Sequence, residues 1–242
     1  MTEKTVSEAI SYRRSVRIYD PNKPIDTEKV RACIIQASLA PTSSNLQLWE
    51  FYHITSESAK KEMVKACLSQ TAARTAEQFV VAVARKDLWK SRVKANLNFL
   101  ENQFSQQKVR NPKREKMATH YYTKIIPTLY TDFLGITGVF KRLLATLSGF
   151  SKPMYRQVLQ SDLNIVAQKS TALAAQNFMI SMAAHGYDTC PMEGFDSKRV
   201  KAILGLPSSA MINMVISCGI RAKGGVYGPQ FRVPFEEVYF EK

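Results

Sequence analysis

Phe79-Val80-Val81-Ala82-Val83-Ala84 is a run of six apolar residues, half of them β-branched, with no charge, glycine or proline inside it. A run of this length that is apolar at every position predicts a strand buried on both faces. Upstream, Trp49-Glu50-Phe51-Tyr52-His53-Ile54 is aromatic-rich and partly alternating, and residues 211–218 form a further strand candidate. Helical patterns separate these strands. Residues 58–68 read as one helix, and residues 162–184 as a long one through Val166, Leu173, Asn177, Phe178 and Ser181, with Gly186 placed as its terminator. The long helix is rich in Ala and Ser, so another backbone can approach it closely, in a tightly packed core or at the centre of an assembly.

Local signals place the remaining elements. Thr5 with Glu8 fits a capping box for a short helix running toward Tyr12, and Asp26 caps a helix with Val30, Ile34 and Ala37 on its apolar face, ending before Pro41. Asp196 caps another that ends at Leu204-Gly205. Residues 231–240 read as extended, with Pro234 suited to an edge position.

With 242 residues, 45% hydrophobic, the chain can bury a large core, and its scattered Gly and Pro give no linker, so one domain with an insertion is expected. The polar start, Met1-Thr2-Glu3-Lys4-Thr5, lacks the apolar run of a secretory signal and points to the cytoplasm. Cys33, Cys67, Cys190 and Cys218 form no C-x-x-C pair and read as buried thiols. His53, His120 and His185 offer no metal-ligand spacing, so no metal centre is expected. A net charge of +14 suits anionic cofactors, membrane surfaces or nucleic acid, but no nucleic-acid-binding motif accompanies it, so no nucleic-acid partner is expected.

No glycine-rich phosphate loop of either nucleotide-binding type occurs, so a phosphate would be held by side chains. Arg13, Arg14, Ser15 and Arg17 supply three guanidinium groups and a hydroxyl within five residues, a set that can grip a phosphate monoester bidentately. A solvated charged turn is the alternative for these residues alone. Three further motifs follow in order: Ala40-Pro41-Thr42-Ser43-Ser44-Asn45-Leu46-Gln47-Leu48-Trp49, then Pro191-Met192-Glu193-Gly194-Phe195, then Arg232-Val233-Pro234.

In this order and at these distances the four motifs resemble the nitroreductase family, over about residues 5–85 and 162–242. The resemblance implies an α+β fold with a mostly antiparallel central sheet flanked by helices, and a homodimer in which a C-terminal arm crosses to the other subunit. It implies two FMN molecules at the interface, with NADH or NADPH as electron donor. Arg13, Ser15 and Arg232 would then hold the FMN phosphate, Arg14 would line the same pocket, and Arg17 would face the pyrimidine side of the ring. Pro41, Thr42, Ser43 and Asn45 would border the flavin from one or the other subunit. Residues Pro191, Met192, Glu193 and Gly194 match the segment whose backbone faces N5, although as isolated residues they fit a β-turn equally well.

Two positions depart from the pattern. Gln230 stands where many relatives carry a lysine, leaving Arg221 as a candidate supporting cation, and Gln70 is the best match for a polar contact to the ring. Residues 88–160 have no counterpart in a minimal member and read as an enlarged, helical, lid-like insert. Residues 125–150 are broken by Asp132, Lys141 and Arg142, too often for a membrane-spanning helix, while extra helices covering the core and a helix lying on a membrane surface are the other readings. The expected chemistry is a ping-pong transfer of hydride from NAD(P)H through the flavin to a small acceptor such as a nitroaromatic or quinone, with no catalytic side chain. A flavin-storage module and a reductive-dehalogenase-like relative are the alternatives.

Overall fold

The computed structural model describes residues 3–131 and 136–242; Asp132 and Phe133 of the insert lie outside the described residues. Helices α1 (Val6–Tyr12) and α2 (Thr27–Ala37) precede strand β1 (Trp49–Ile54), and α3 (Glu57–Ala66) and α4 (Thr71–Arg74) lead to β2 (Gln78–Ala84). The insert carries α5 (Trp89–Gln106), α6 (Pro112–His120), α7 (Ile126–Tyr130) and α8 (Ile136–Ser148), and α9 (Gln160–Ala184) follows it. Then come β3 (Asp188–Met192), α10 (Ser197–Ile203) and β4 (Met211–Gly219). The sheet has the order β1-β2-β4-β3 and is antiparallel throughout, so the fold is α+β as expected.

All of β2 is buried, because its two faces meet different layers. Val80 and Ala82 pack with Val30 and Cys33 of α2 and Ala175, Phe178 and Met182 of α9. Phe79, Val81 and Val83 pack on the other side with Met63 and Ala66 of α3 and Val200 of α10. Small side chains along α9 permit its close seat on α2, and Gly186 at φ 78° ends it in the left-handed region that favours glycine. The capping box is present: Thr5 Oγ1 accepts from Glu8 N at 3.4 Å while the Glu8 carboxylate accepts from Thr5 N at 2.8 Å. Asp26 and Asp196 cap α2 and α10 as their sequence positions predict.

Two readings are corrected. Pro191 and Met192 lie in strand β3, paired with Ile216 and Val215, rather than in a turn. β3 is an edge strand, the place where a proline without an N–H is tolerated. The tail of residues 231–240 joins no strand ladder; a single 3-10 turn, Phe235–Glu237, follows Pro234, and Phe231, Phe235 and Phe240 stay exposed.

The four cysteines are buried free thiols. Burial pushes the Cys67 thiol up to about 11, and burial, aided by neighbouring tyrosines, pushes the Tyr130 phenol up to about 12. In both groups the protonated form is the neutral one, so the folded state holds these protons more tightly than the unfolded chain. The stabilisation is complete below about pH 9, where unfolded thiols begin to titrate, and is lost as pH rises toward 11 to 12. Thermal melts should therefore fall progressively above about pH 9, and Tyr130→Phe should make the fall between pH 10 and 12 shallower; an unchanged slope would remove Tyr130 from the effect.

Candidate functional site

α1 stops at Tyr12 because Arg13 turns to extended backbone, φ −60° and ψ 123°. The chain then crosses the outer side of β3. Ser15 bridges Thr189 in parallel, Val16 N donates to Thr189 O at 3.2 Å, and Arg17 N donates to Gly225 O at 2.6 Å. Val16 is fully buried and acts as the anchor. Since successive residues of extended chain alternate sides, Ser15 and Arg17 project away from it together with Arg13. Gly225 is required for this approach: a Cβ there would lie 2.3 Å from Ile18 O.

The result is a concavity of about 270 Å³ lined by Arg13, Arg14, Ser15, Arg17, Gln230 and Arg232, with the rest of its wall from residues 226–231. Chain positions more than 200 residues apart thus meet in one place. Among the described residues no carboxylate lines it. Arg14 Nη2 donates to Gly228 O at 3.0 Å and Arg232 Nη1 to Phe231 O at 2.6 Å, so both lean on backbone carbonyls rather than on anions. Partial burial lowers the pKa of the Arg13 guanidinium, and the positive charges of Arg232 and Arg14 lower it further. Cations held together against their own repulsion, beside a hydroxyl, form a site that an anion with several oxygens would relieve.

Arg221 is not part of this concavity. Its Nε and Nη2 donate to Asp188 Oδ1 at 2.9 and 2.5 Å, its backbone N donates to Asp188 Oδ2 at 2.7 Å, and its guanidinium lies 4.3 Å from the centre of the Tyr12 ring. A second bond, from Nη2 to Tyr12 O at 3.2 Å, ties the end of α1 to β3 immediately before Arg13. Arg221 is a structural cation, and the supporting role suggested for it is indirect.

The second group of predicted residues surrounds the end of β3. Gln70 Nε2 donates to Gly194 O at 2.5 Å and to Cys67 O at 3.1 Å, so this side chain braces the Pro191-Met192-Glu193-Gly194 segment. A Cβ on Gly194 would come within 3.1 Å of that same amide.

None of the third group, Pro41, Thr42, Ser43 and Asn45, lines the arginine concavity. Ser43 N donates to Ser170 Oγ of α9 at 3.4 Å. Ser44, Asn45 and Gln47 all have positive φ, 54°, 50° and 48°, a conformation costing on the order of 1 kcal/mol or more for each residue with a side chain. Asn96 and Tyr122 of the insert hold the loop in that state. Asn45 Nδ2 donates to Asn96 Oδ1 at 2.9 Å, Asn96 Nδ2 donates to Asn45 O at 3.0 Å, and Tyr122 Oη donates to Ser44 O at 3.0 Å. Tyr122 belongs to a π-helical turn, Tyr121–Ile125, whose extra residue per turn brings Tyr121 Oη within 2.7 Å of Ser44 Oγ. No signal short of the fold identifies Asn96. Asn96→Ala, which removes a buried amide bonded to both Asn45 and Tyr122, should cost about 2 to 3 kcal/mol in urea unfolding, and Tyr122→Phe about 1 kcal/mol; equal costs would contradict this hierarchy.

The chain is similar to known proteins over most of its length. The model described as the nitroreductase family matches residues 10–220. Protein DrgA of a Synechocystis strain is 28% identical over 216 residues, covering 89% of this chain and 84% of its own. YdgI of Bacillus subtilis, named among the NAD(P)H nitroreductases, is 25% identical over 233 residues, covering 96% and 94%. A crystal structure from Exiguobacterium sibiricum determined with FMN superimposes with a TM-score of 0.71 at 22% identity, over 100% of this chain and 99% of that one.

Proposed function

The chain belongs to the nitroreductase family, and from that premise we propose that it is an FMN-dependent oxidoreductase that takes reducing equivalents from NADH or NADPH and passes them to a small acceptor such as a nitroaromatic or a quinone. The observation that carries this reading is the cluster of arginines around Ser15, in a concavity that no carboxylate among the described residues lines. A phosphate monoester brings close to two negative charges and three acceptor oxygens at neutral pH, which fits such a donor set. FMN bound there would supply the hydride-accepting and hydride-donating centre.

The chain's own residues do the rest. Arg13, Ser15 and Arg232 hold the phosphate, and Arg14 adds to the field around it. Arg17, spaced two residues beyond Ser15 on the same side, places a cation beside the pyrimidine edge of the ring, where it favours the anionic reduced form. The end of β3 presents the backbone amides of Glu193 and Gly194 to the ring's polar edge, with Gln70 fixing the Gly194 carbonyl in the opposite direction. The loop containing Pro41, Thr42, Ser43 and Asn45 serves the flavin of a second copy, which accounts for its absence from the arginine concavity within one chain. The exposed aromatic tail crosses to that copy in a homodimer. Insert residues 88–160 form a lid, through α5 and the Tyr121–Ile125 turn, over the acceptor. The protein works in the cytoplasm.

The test is an absorbance spectrum of the purified protein followed by anaerobic NADH or NADPH. Flavin bands that bleach, and return when a quinone is added, support the reading. A colourless protein that takes up no added FMN would overturn it, and a flavin that neither nicotinamide reduces would indicate storage.

A further inference from the structure

Outside the site, α8 presents an apolar face that none of the described residues covers. It meets the body through Gly138 and Ala145, which are buried, and through Lys141, whose Nζ donates to the carbonyl oxygens of Leu129 and Thr131. On the opposite side stand Val139, Phe140, Leu143, Leu144 and Leu147, between 47% and 65% exposed. At about 100° per residue these five occupy one continuous arc of roughly 140°. Lys141 and Arg142 border the arc on its two sides. The face continues into the segment after the helix, where Phe150, Met154 and Tyr155 are 84%, 40% and 51% exposed.

Charge identifies what this face fits. Between Asp132 and Asp162 the chain contains no acidic residue, against Lys141, Arg142, Lys152 and Arg156, and the last three are exposed. A second copy seated symmetrically on α8 would set these cations against their own counterparts. An anionic surface with an apolar interior satisfies both halves of the pattern, with cations at the headgroups and Phe and Leu below them.

We propose that α8 and the segment through Arg156 dock the protein on the surface of an anionic lipid bilayer. The helix lies in the headgroup plane and does not cross, since no helix among the described residues is long and apolar enough to span. This assignment rests on the exposed face and its charges alone and is independent of the proposed flavin chemistry. It departs from the reading in which the insert's apolar residues all cover the core. Trp89, Tyr122 and Tyr130 do so, whereas the α8 face does not.

Vesicle co-sedimentation of the purified full chain tests it, using phosphatidylcholine alone and phosphatidylcholine mixed with phosphatidylglycerol. The expected result is binding to the mixed vesicles only, weakened by raised salt. Phe140→Ser with Leu144→Ser should reduce that binding about a hundredfold, and Arg142→Glu with Lys152→Glu by at least about twentyfold. All four side chains are exposed, so both variants should melt as the parent does. Absence of binding to mixed vesicles overturns the proposal, as does binding that either double variant leaves intact. Light scattering covers the competing occupant: if Phe140→Ser with Leu144→Ser shifts the protein to a smaller assembly, the face belongs to a second copy and the proposal fails.

Discussion

Arg13→Ala should purify as a folded protein with little flavin, its affinity for FMN lowered by about two to four orders of magnitude. A guanidinium that grips a phosphate through two charge-assisted bonds contributes about 1.5 to 3 kcal/mol per bond, and each 1.4 kcal/mol is a factor of ten. Its loss should not weaken the apoprotein. Arg13 is partly buried, and Arg232 and Arg14 already oppose its charge, so the truncation relieves repulsion and the apoprotein melting temperature should stay level or rise. Arg13→Lys should fall between, because it keeps the charge and loses the planar fork. Fluorescence titration of the apoprotein with FMN, beside circular dichroism melts, checks both halves. Unchanged FMN affinity in Arg13→Ala would remove this side chain from the phosphate site; a lowered apoprotein melting temperature would instead mark it as structural.

The second large effect is expected at Asp188, which is 2% exposed and accepts three hydrogen bonds from Arg221. Asp188→Ala strips a partly buried guanidinium of its counter-charge and frees the end of α1, and should cost about 3 to 5 kcal/mol in urea unfolding. Asp188→Asn keeps an acceptor but not the charge and should cost less. Pairing Asp188→Ala with Arg221→Met should recover part of the loss, since the unpaired charge then disappears as well. If the double variant is as unstable as the sum of its single changes, the two residues act separately and the pair does not hold α1 to β3.

Much of the fold could be read from local sequence. The apolar run 79–84, the Thr5–Glu8 box, Asp26, Asp196 and Gly186 each state a preference that depends on a few neighbouring residues, and the structure keeps every one. Strand β3 was not legible. Its five residues, Asp-Thr-Cys-Pro-Met, carry no alternation and include a proline, and they form a strand because β4 on one side and Ser15 on the other supply partners. The tail of residues 231–240 shows the converse, extended in pattern yet without a strand, because pairing is decided by which sheet edge a segment reaches and not by its own pattern.

The sequence by itself determined the capped helices, the buried central strand and the concentration of arginines around Ser15, since these follow from composition and spacing along the chain. Only the tertiary structure decided that Arg232 meets Arg13, that Arg221 belongs to Asp188, that Asn96 and Tyr122 hold Ser44 and Asn45 in left-handed backbone, and that one face of α8 is left uncovered. Each of these depends on which distant groups share a place and on how much water remains there. Hydrogen bonds, ion pairs and burial are properties of such encounters, and no local pattern encodes them.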